Sequence, residues 1–347
     1  MYGVVENKDL FELVLMRPLY RTDAPDSLKI LSGYATHAMA ARHLIEVTAR
    51  KKSLAVDLVY GMAGVDGVSK INHLGFVSLE TRGEFAYSGN FVCSYVKRPS
   101  SVHSKIYIWC RGGIPVQAFI GSANYSEAGF NLSSRTEALA ECDPISALDA
   151  FTRVKAKAVA CGKANRDRDF SPRHHGQVSL VRSSHVVQIE DDKTSPFYNH
   201  EKVVLSLLTS EGGTGNGSRL NWGVRPDGTP RMSTNGNGSV SRRDPNQSYI
   251  GLPADLQRSG FFPDIKRRFT VLTDDNQILT CVRAQANGKG IETPQDNSEI
   301  GRYFRNRLGL ASGAYISVDD LKRYGRTNVV FYKLDDENYA MDFARPK

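Results

Sequence analysis

Up to about residue 160, strand-length apolar runs alternate with stretches of helical spacing. Residues 28–33 (LKILSG) and 54–60 (LAVDLVY) read as buried strands. Residues 37–49 (HAMAARHLIEVTA) place Ala, Leu, Ile and Val at helical spacing. A Gly-rich turn (GMAGVDG) follows the second strand, and a helix is expected over 68–74. Further strands are expected at 91–95, 105–109 and 118–120, and a helix with a basic face over 144–161. Such alternation predicts a layered α/β domain. Residues 162–177 (GKANRDRDFSPRHHGQ) are polar, charged and aperiodic, which marks a linker.

Beyond the linker, short strand-like runs are separated by turns: 176–182, 186–190, 248–252, 268–273, 277–283, 314–318 and 328–334. Helical patterns are few, at 201–208, 301–308 and 318–324. Many short strands predict a small barrel or sandwich. Residues 214–243 are loaded with Gly, Asn, Ser and Arg and read as a long exposed loop or arm. The expected organisation is a domain over 1–161, a linker over 162–177 and a second domain over 178–347.

Composition narrows the function. The 347 residues are 40% hydrophobic and 24% charged, ordinary for globular domains. No apolar run approaches the roughly 20 residues that span a bilayer. The first residues carry acids where a secretion signal is basic. Five scattered cysteines without a CxxC pair argue against a disulfide framework or zinc cluster. These features predict a cytoplasmic protein without a membrane partner. The net charge is +8, a hint of a polyanionic partner. From residue 171 onward, 17 of the 24 cations are Arg, whose planar fork grips phosphates and guanine edges.

One segment carries chemistry: Val102-His103-Ser104-Lys105, then Gly121-Ser122-Ala123-Asn124, then Thr136-Glu137. On a strand, His-x-Lys puts both side chains on one face. A buried imidazole beside an ammonium group is a poor core pair, but the two suit an anion bound between them. Ser122 and Asn124 supply a hydroxyl and an amide for phosphoryl oxygens, and Gly121 permits close backbone approach. A carboxylate at Glu137 can hold the second imidazole nitrogen and fix its tautomer. These are parts for phosphoryl transfer by a nucleophilic His without a metal. A second His-x-Lys, His200-Glu201-Lys202, lacks a Gly-Ser-x-Asn at the right distance and reads as a surface helix.

The first segment resembles the phospholipase D superfamily, whose pattern is His-x-Lys, a four-residue gap, Asp, then Gly-Ser/Gly and Asn. His103, Lys105, Gly121, Ser122 and Asn124 match, whereas the Asp position holds Cys110. That departure occurs in a nuclease branch using His, Lys, Asn and a later Glu, for which Glu137 is the candidate and Glu127 and Glu141 are less well placed. The resemblance implies a mixed sheet flanked by helices. Most such enzymes need two motif copies, so one copy per chain implies a homodimer with a shared active site.

In the second domain, LNWG, PNQSYI and NGKGI…NSEIGRYFRNRLG resemble the DNA-binding domain of BfiI- and NgoAVII-type restriction endonucleases. The resemblance implies a mainly-β pseudobarrel and two arms for the major groove. One arm holds Trp222, Arg225, Arg231, Arg242 and Arg243. The other holds Gln285, Asn287, Lys289, Gln295 and Asn297. Trp222 is alternatively core, and Arg302, Arg305 and Arg307 read as phosphate contacts or a solvated helix face. Arg pairs bidentately with guanine, and Asn or Gln with adenine.

The whole reads as a restriction-type endonuclease cutting double-stranded DNA without a metal or other cofactor, through a phosphohistidine. A phospholipase D-type enzyme with a non-DNA substrate and a non-catalytic DNA-binding module are the alternatives. The Arg-rich arms oppose the first and the His/Lys/Ser/Asn set opposes the second. A metal-dependent pattern forced from Pro25-Asp26 and Asp191-Asp192-Lys193 has too long a gap. No GxxxxGK[ST] phosphate loop is present, so any ATP-driven step falls to a separate helicase-like ATPase subunit. A restriction role also implies a companion DNA methyltransferase.

Overall fold

A computed structural model describes residues 4–6, 10–81, 89–130, 136–164, 172–173, 200–216, 218–234 and 238–345. The chain forms two compact units, Met1–His174 and His175–Lys347. Most of the expected linker, the strands expected at 176–182 and 186–190, and Asp191–Lys193 lie outside the described residues.

The first unit is built on an eight-stranded mixed sheet. Its strands are β1 (Val4–Glu6), β2 (Ser27–Ser32), β3 (Leu54–Tyr60), β5 (Gly89–Val96), β6 (Lys105–Arg111), β7 (Ile114–Gly121), β8 (Ala138–Cys142) and β9 (Ala158–Ala160). The spatial order is β1-β8-β7-β6-β2-β3-β5-β9, with β2, β3 and β5 parallel and the other pairs antiparallel. A short β4 (Val68–Ser69) pairs with β10 (Pro172–Arg173). Helices α1 (His37–Ala49) and α3 (Lys70–Thr81) pack on one face, α5 (Pro144–Lys155) on the other; α2 (Ala63–Asp66) and α4 (Glu127–Phe130) are single turns. Period-two alternation in β6 shows why both faces are apolar. Tyr107 and Trp109 enter the α1/α3 core, and Ile106, Ile108 and Cys110 the α5 core. Thr36 caps α1 by accepting the Met39 N–H, and Asp143 caps α5 by accepting the Ser146 N–H at 2.7 Å.

Two helix expectations need correction here. The helix over 144–161 ends at Lys155, and Ala158–Ala160 instead completes the ladder along β5. Residues 68–69 are strand, with the helix running Lys70–Thr81.

Two buried histidines in α1 give this unit a pH limit. His43 Nε2 donates to the Leu15 carbonyl at 3.2 Å, while its Nδ1 accepts the Tyr125 hydroxyl at 2.9 Å. Burial pulls His37 and His43 from 6.5 down to about 4. The unfolded chain therefore binds more protons than the folded one between these values. Stability is complete above the unfolded value and drains as pH falls toward the folded one, on the order of 3 kcal/mol per ring. Calorimetry of the full chain should show the first unit melting at lower temperature at pH 4.5 than at pH 7. An unchanged melting temperature would refute the assignment.

The second unit is a seven-stranded sheet of β11 (Glu201–Ser206), β14 (Ile250–Gly251), β15 (Arg268–Thr273), β16 (Ile278–Ala284), β17 (Gly290–Glu292), β18 (Asn328–Lys333) and β19 (Asn338–Asp342). The order is β11-β18-β19-β15-β16-β17-β14, and the outer strands β11 and β14 come into contact, so the sheet nearly closes. Only β15–β19 is parallel. A mainly-β pseudobarrel results, around Phe262, Phe269, Phe331 and Tyr339. Helices α6 (Ala254–Arg258), α7 (Glu299–Leu308) and α8 (Val318–Tyr324) and the hairpin β12 (Met232–Thr234)–β13 (Val240–Arg242) complete it.

Of residues 201–208, expected as helix, Glu201–Ser206 form β11. β-Branched Val203 and Val204 suit a strand, and six residues pair with β18. The strand expected at 314–318 is absent. Ser317 instead opens α8 with a capping box to Asp320.

Candidate active site and nucleic-acid interface

Sheet register gathers the first unit's motif at one end. β2 and β7 finish there, at Ser32 and Gly121, and the antiparallel β6 begins there, at Lys105 opposite Ser32. β8 starts beside them, with Leu139 opposite Gly121. His103 precedes β6 rather than lying on it, yet still meets Lys105. The Lys105 ammonium donates to the His103 carbonyl at 2.7 Å and lies 3.1 and 3.2 Å from the two ring nitrogens. Lys105 is buried and His103 exposed. Burial pulls the Lys105 pKa down, partly offset by the Glu137 carboxylate.

Glu137 sits beside Ser122 and accepts its hydroxyl. Ser122 Oγ in turn accepts the Ala138 N–H at 3.1 Å. Asn124 Oδ1 accepts the Tyr34 N–H at 3.0 Å, which leaves its Nδ2 as the donor for a ligand. Gly121 is needed because a Cβ there would lie 2.1 Å from the Ala138 carbonyl oxygen. His103, Lys105, Ser122, Asn124 and Glu137 are thus all placed where strands of one sheet end together. Glu137 takes the Ser122 hydroxyl.

The sequence pattern missed a supporting layer: Gly33, Tyr34 and Asp66. A Cβ on Gly33 would lie 2.7 Å from His103 Cδ2, so only glycine lets the imidazole sit there.

In the second unit the two arms meet at aromatic rings. Trp222 is half-buried rather than core, edge-to-face with Tyr249 at 5.8 Å and under the Arg243 guanidinium at 4.5 Å. Tyr249 lies against Gly290, where a Cβ would come within 2.8 Å of its ring. Burial and neighbouring Arg231 pull the Arg243 pKa down, a crowding of cations that favours an anion. Arg225 and Arg242 are exposed; Arg225 closes a turn onto the Thr229 and Pro230 oxygens. In the other arm Asn287, Lys289 and Gln295 are exposed, Gln285 donates to Glu292 at 2.8 Å, and the Asn297 carbonyl accepts the Ser248 N–H.

Two expectations fail here. Residues 214–243 are not wholly an exposed loop, since Leu220 and Asn221 are fully buried. Nor are Arg305 and Arg307 a solvated face. Arg305 is fully buried among carbonyls, and Arg307 is bound to Asp274, Tyr324 and the Phe343 carbonyl. Arg302, half-exposed, pairs with Asp296.

Residues 8–167 match the NgoFVII restriction endonuclease N-terminal PLD domain, and residues 196–335 the NgoFVII C-terminal B3-like DNA-binding domain. The chain belongs to the NgoFVII restriction endonuclease family. It is therefore a phospholipase D-type nuclease joined to a DNA-binding domain, and DNA is its partner. No curated protein matches the chain. Among solved structures, NucT from Helicobacter pylori is similar at 18% identity and TM-score 0.30, over 46% of this chain and 98% of that one. Nuc, a phospholipase D family member from Salmonella typhimurium, is similar at 12% identity and TM-score 0.33, over 46% of this chain and 97% of that one. In this NgoFVII-family chain Cys110 lies on the β6 face opposite Lys105, buried under α5, where burial pushes its thiol up. Cys110 supplies no charge to the site.

Proposed function

We propose that this enzyme cuts double-stranded DNA at specific sites without a metal, through a phosphohistidine. The observation that carries the reading is the Lys105 ammonium set against the His103 ring, with the Ser122–Glu137 pair and Asn124 at the same sheet end. A nitrogen of His103 attacks phosphorus, forming an N–P bond as the P–O3′ bond breaks. His103 of the partner subunit gives its proton to the leaving 3′-oxygen. Water then attacks phosphorus, the N–P bond breaks, and a 5′-phosphate is released as the partner imidazole takes a proton from the water. Lys105, Ser122 and Asn124 stabilise the charge on the phosphoryl oxygens.

Attack and protonation need imidazoles on opposite sides of phosphorus, and one motif supplies one, so two chains share a cleft across a two-fold axis. The domain over 1–161 is the nuclease and dimerisation part, and 178–347 the DNA reader. In the reader, Arg225, Arg231, Arg242 and Arg243 enter the groove from one side, and Gln285, Asn287, Lys289, Gln295 and Asn297 from the other. A companion methyltransferase protects the same sites, and a helicase-like ATPase subunit supplies any translocation. All act in the cytoplasm.

The test is digestion of phage DNA in excess EDTA without ATP. Discrete fragments are expected. Complete loss of cutting in chelator, restored by magnesium alone, would refute the metal-free mechanism.

A further inference from the structure

Tyr34 follows β2 and touches both ends of the candidate chemistry. Its ring stands edge-to-face with the His103 imidazole, centroids 5.5 Å apart at 77°. Its backbone N–H binds Asn124 Oδ1 at 3.0 Å. Its hydroxyl donates to Asp66 Oδ2, at the end of α2. Its carbonyl accepts Ser32 Oγ at 2.5 Å, and the same hydroxyl oxygen accepts the Tyr125 N–H at 2.9 Å. Behind it stands the Tyr60 ring, 6.3 Å away at 77°. The turn carrying Asp66 is tied down in turn: Gly61 N donates to the Ser32 carbonyl, Met62 N to the Gly33 carbonyl, and Val102 N to the Gly61 carbonyl.

From this we propose that the Tyr34 side chain, anchored by Asp66, is the positioning group that sets the plane of His103. His103 is exposed, and an exposed imidazole has rotamer freedom that an in-line attack cannot tolerate. Lys105 fixes one edge of the ring. Gly33 brings the ring close, and Tyr34 forms the wall against which it stops. Glycine at 33 without tyrosine at 34 would leave a gap, and tyrosine without Asp66 would leave a wall free to turn. The inference rests on the reading of His103 as nucleophile.

The test uses the full chain on an oligonucleotide bearing one cut site mapped with the wild-type enzyme. Tyr34→Ala should lower kcat about 100-fold, the scale of a roughly 1 Å misplacement, with KM and gel-shift affinity nearly unchanged. Tyr34→Phe keeps the ring and loses the Asp66 bond, so it should recover activity to within about tenfold of wild type. If Tyr34→Ala does not fold, Tyr34→Leu asks the same question and should show the same kcat loss. An unchanged kcat, a change in KM alone, or a Phe variant as weak as the Ala variant would overturn the proposal. His103→Ala, assayed in parallel, keeps the layers apart. If it still cuts, the nucleophile reading itself has failed; if it is dead while Tyr34→Ala is fully active, only the positioning role has.

Discussion

Replacing His103 with alanine should abolish cleavage, a loss of about 10⁴-fold or more, while sequence-specific DNA binding stays within about twofold. The side chain is exposed and its ring contacts, Tyr34 and the Lys105 ammonium, lie at the sheet's end rather than in its core, so the fold should lose little. The arms proposed to read DNA are built entirely from the second unit. The shared-site proposal adds a sharper outcome. Because each half-reaction needs both imidazoles, a mixed dimer of wild-type and His103→Ala chains should also be dead. Co-refolding with excess variant should then poison wild-type cleavage beyond simple dilution. Activity falling only in proportion to the wild-type fraction would refute the shared site. Cleavage by a stable monomer in sedimentation would refute it as well.

The candidate site residues were legible as a group because a sheet converts sequence spacing into geometry. His-x-Lys, the sixteen-residue step from Lys105 to Gly121 and the return to Glu137 describe one hairpin and the strand beside it, so the register brings their ends together. The supporting residues were not legible. Tyr34 and Asp66 reach the site from other strands' loops, and neither has a spacing relation to His103. The bond between Glu137 and Ser122 was not legible either, since spacing alone does not say which neighbour a carboxylate binds.

In the second unit the long strands were readable and the edges were not. Residues 268–273 are a compact run of aromatic, β-branched and aliphatic residues, whereas β11 begins Glu-Lys and so looks like a surface helix until β18 claims it. The arms show the same limit more strongly. Composition marked 214–243 as polar, but the roots of that segment are fixed by buried polar bonds that no hydrophobic pattern signals. Asn221 bonds both the N–H and the carbonyl of Ile316, and Asn246 bonds Ser312 and the Gly313 N–H.

Arg305 is the extreme case, and its removal should be the most damaging change in the second unit. The residue sits on α7 one turn after Gly301, where a Cβ would lie 1.7 Å from the Asn246 carbonyl oxygen. The glycine lets the helix press against the root of the first arm, and the guanidinium fills the space beyond. It donates to the carbonyls of Ala314 at 2.7 Å, Gly301 at 3.1 Å, Pro245 at 3.2 Å and Leu220 at 3.4 Å. Leu220 and Pro245 flank the arm, so one side chain clamps both of its ends. The burial is costly enough to pull the Arg305 pKa down to about 10, with Asp244 opposing. Arg305→Ala would strand several buried carbonyls at about 1–3 kcal/mol each and open a cavity, an expected loss on the order of 3–5 kcal/mol. Arg305→Lys should be nearly as damaging, because an ammonium cannot reach this fan of acceptors. Arg302→Ala, three residues earlier and half-exposed, should be nearly neutral in stability. Thermal melts and gel shifts of the three variants decide the matter. Specific binding should fall more steeply than non-specific binding when the arm root is loosened, because base readout needs a fixed arm and phosphate attraction does not. Arg305→Ala as mild as Arg302→Ala would mean that the arm is held without it.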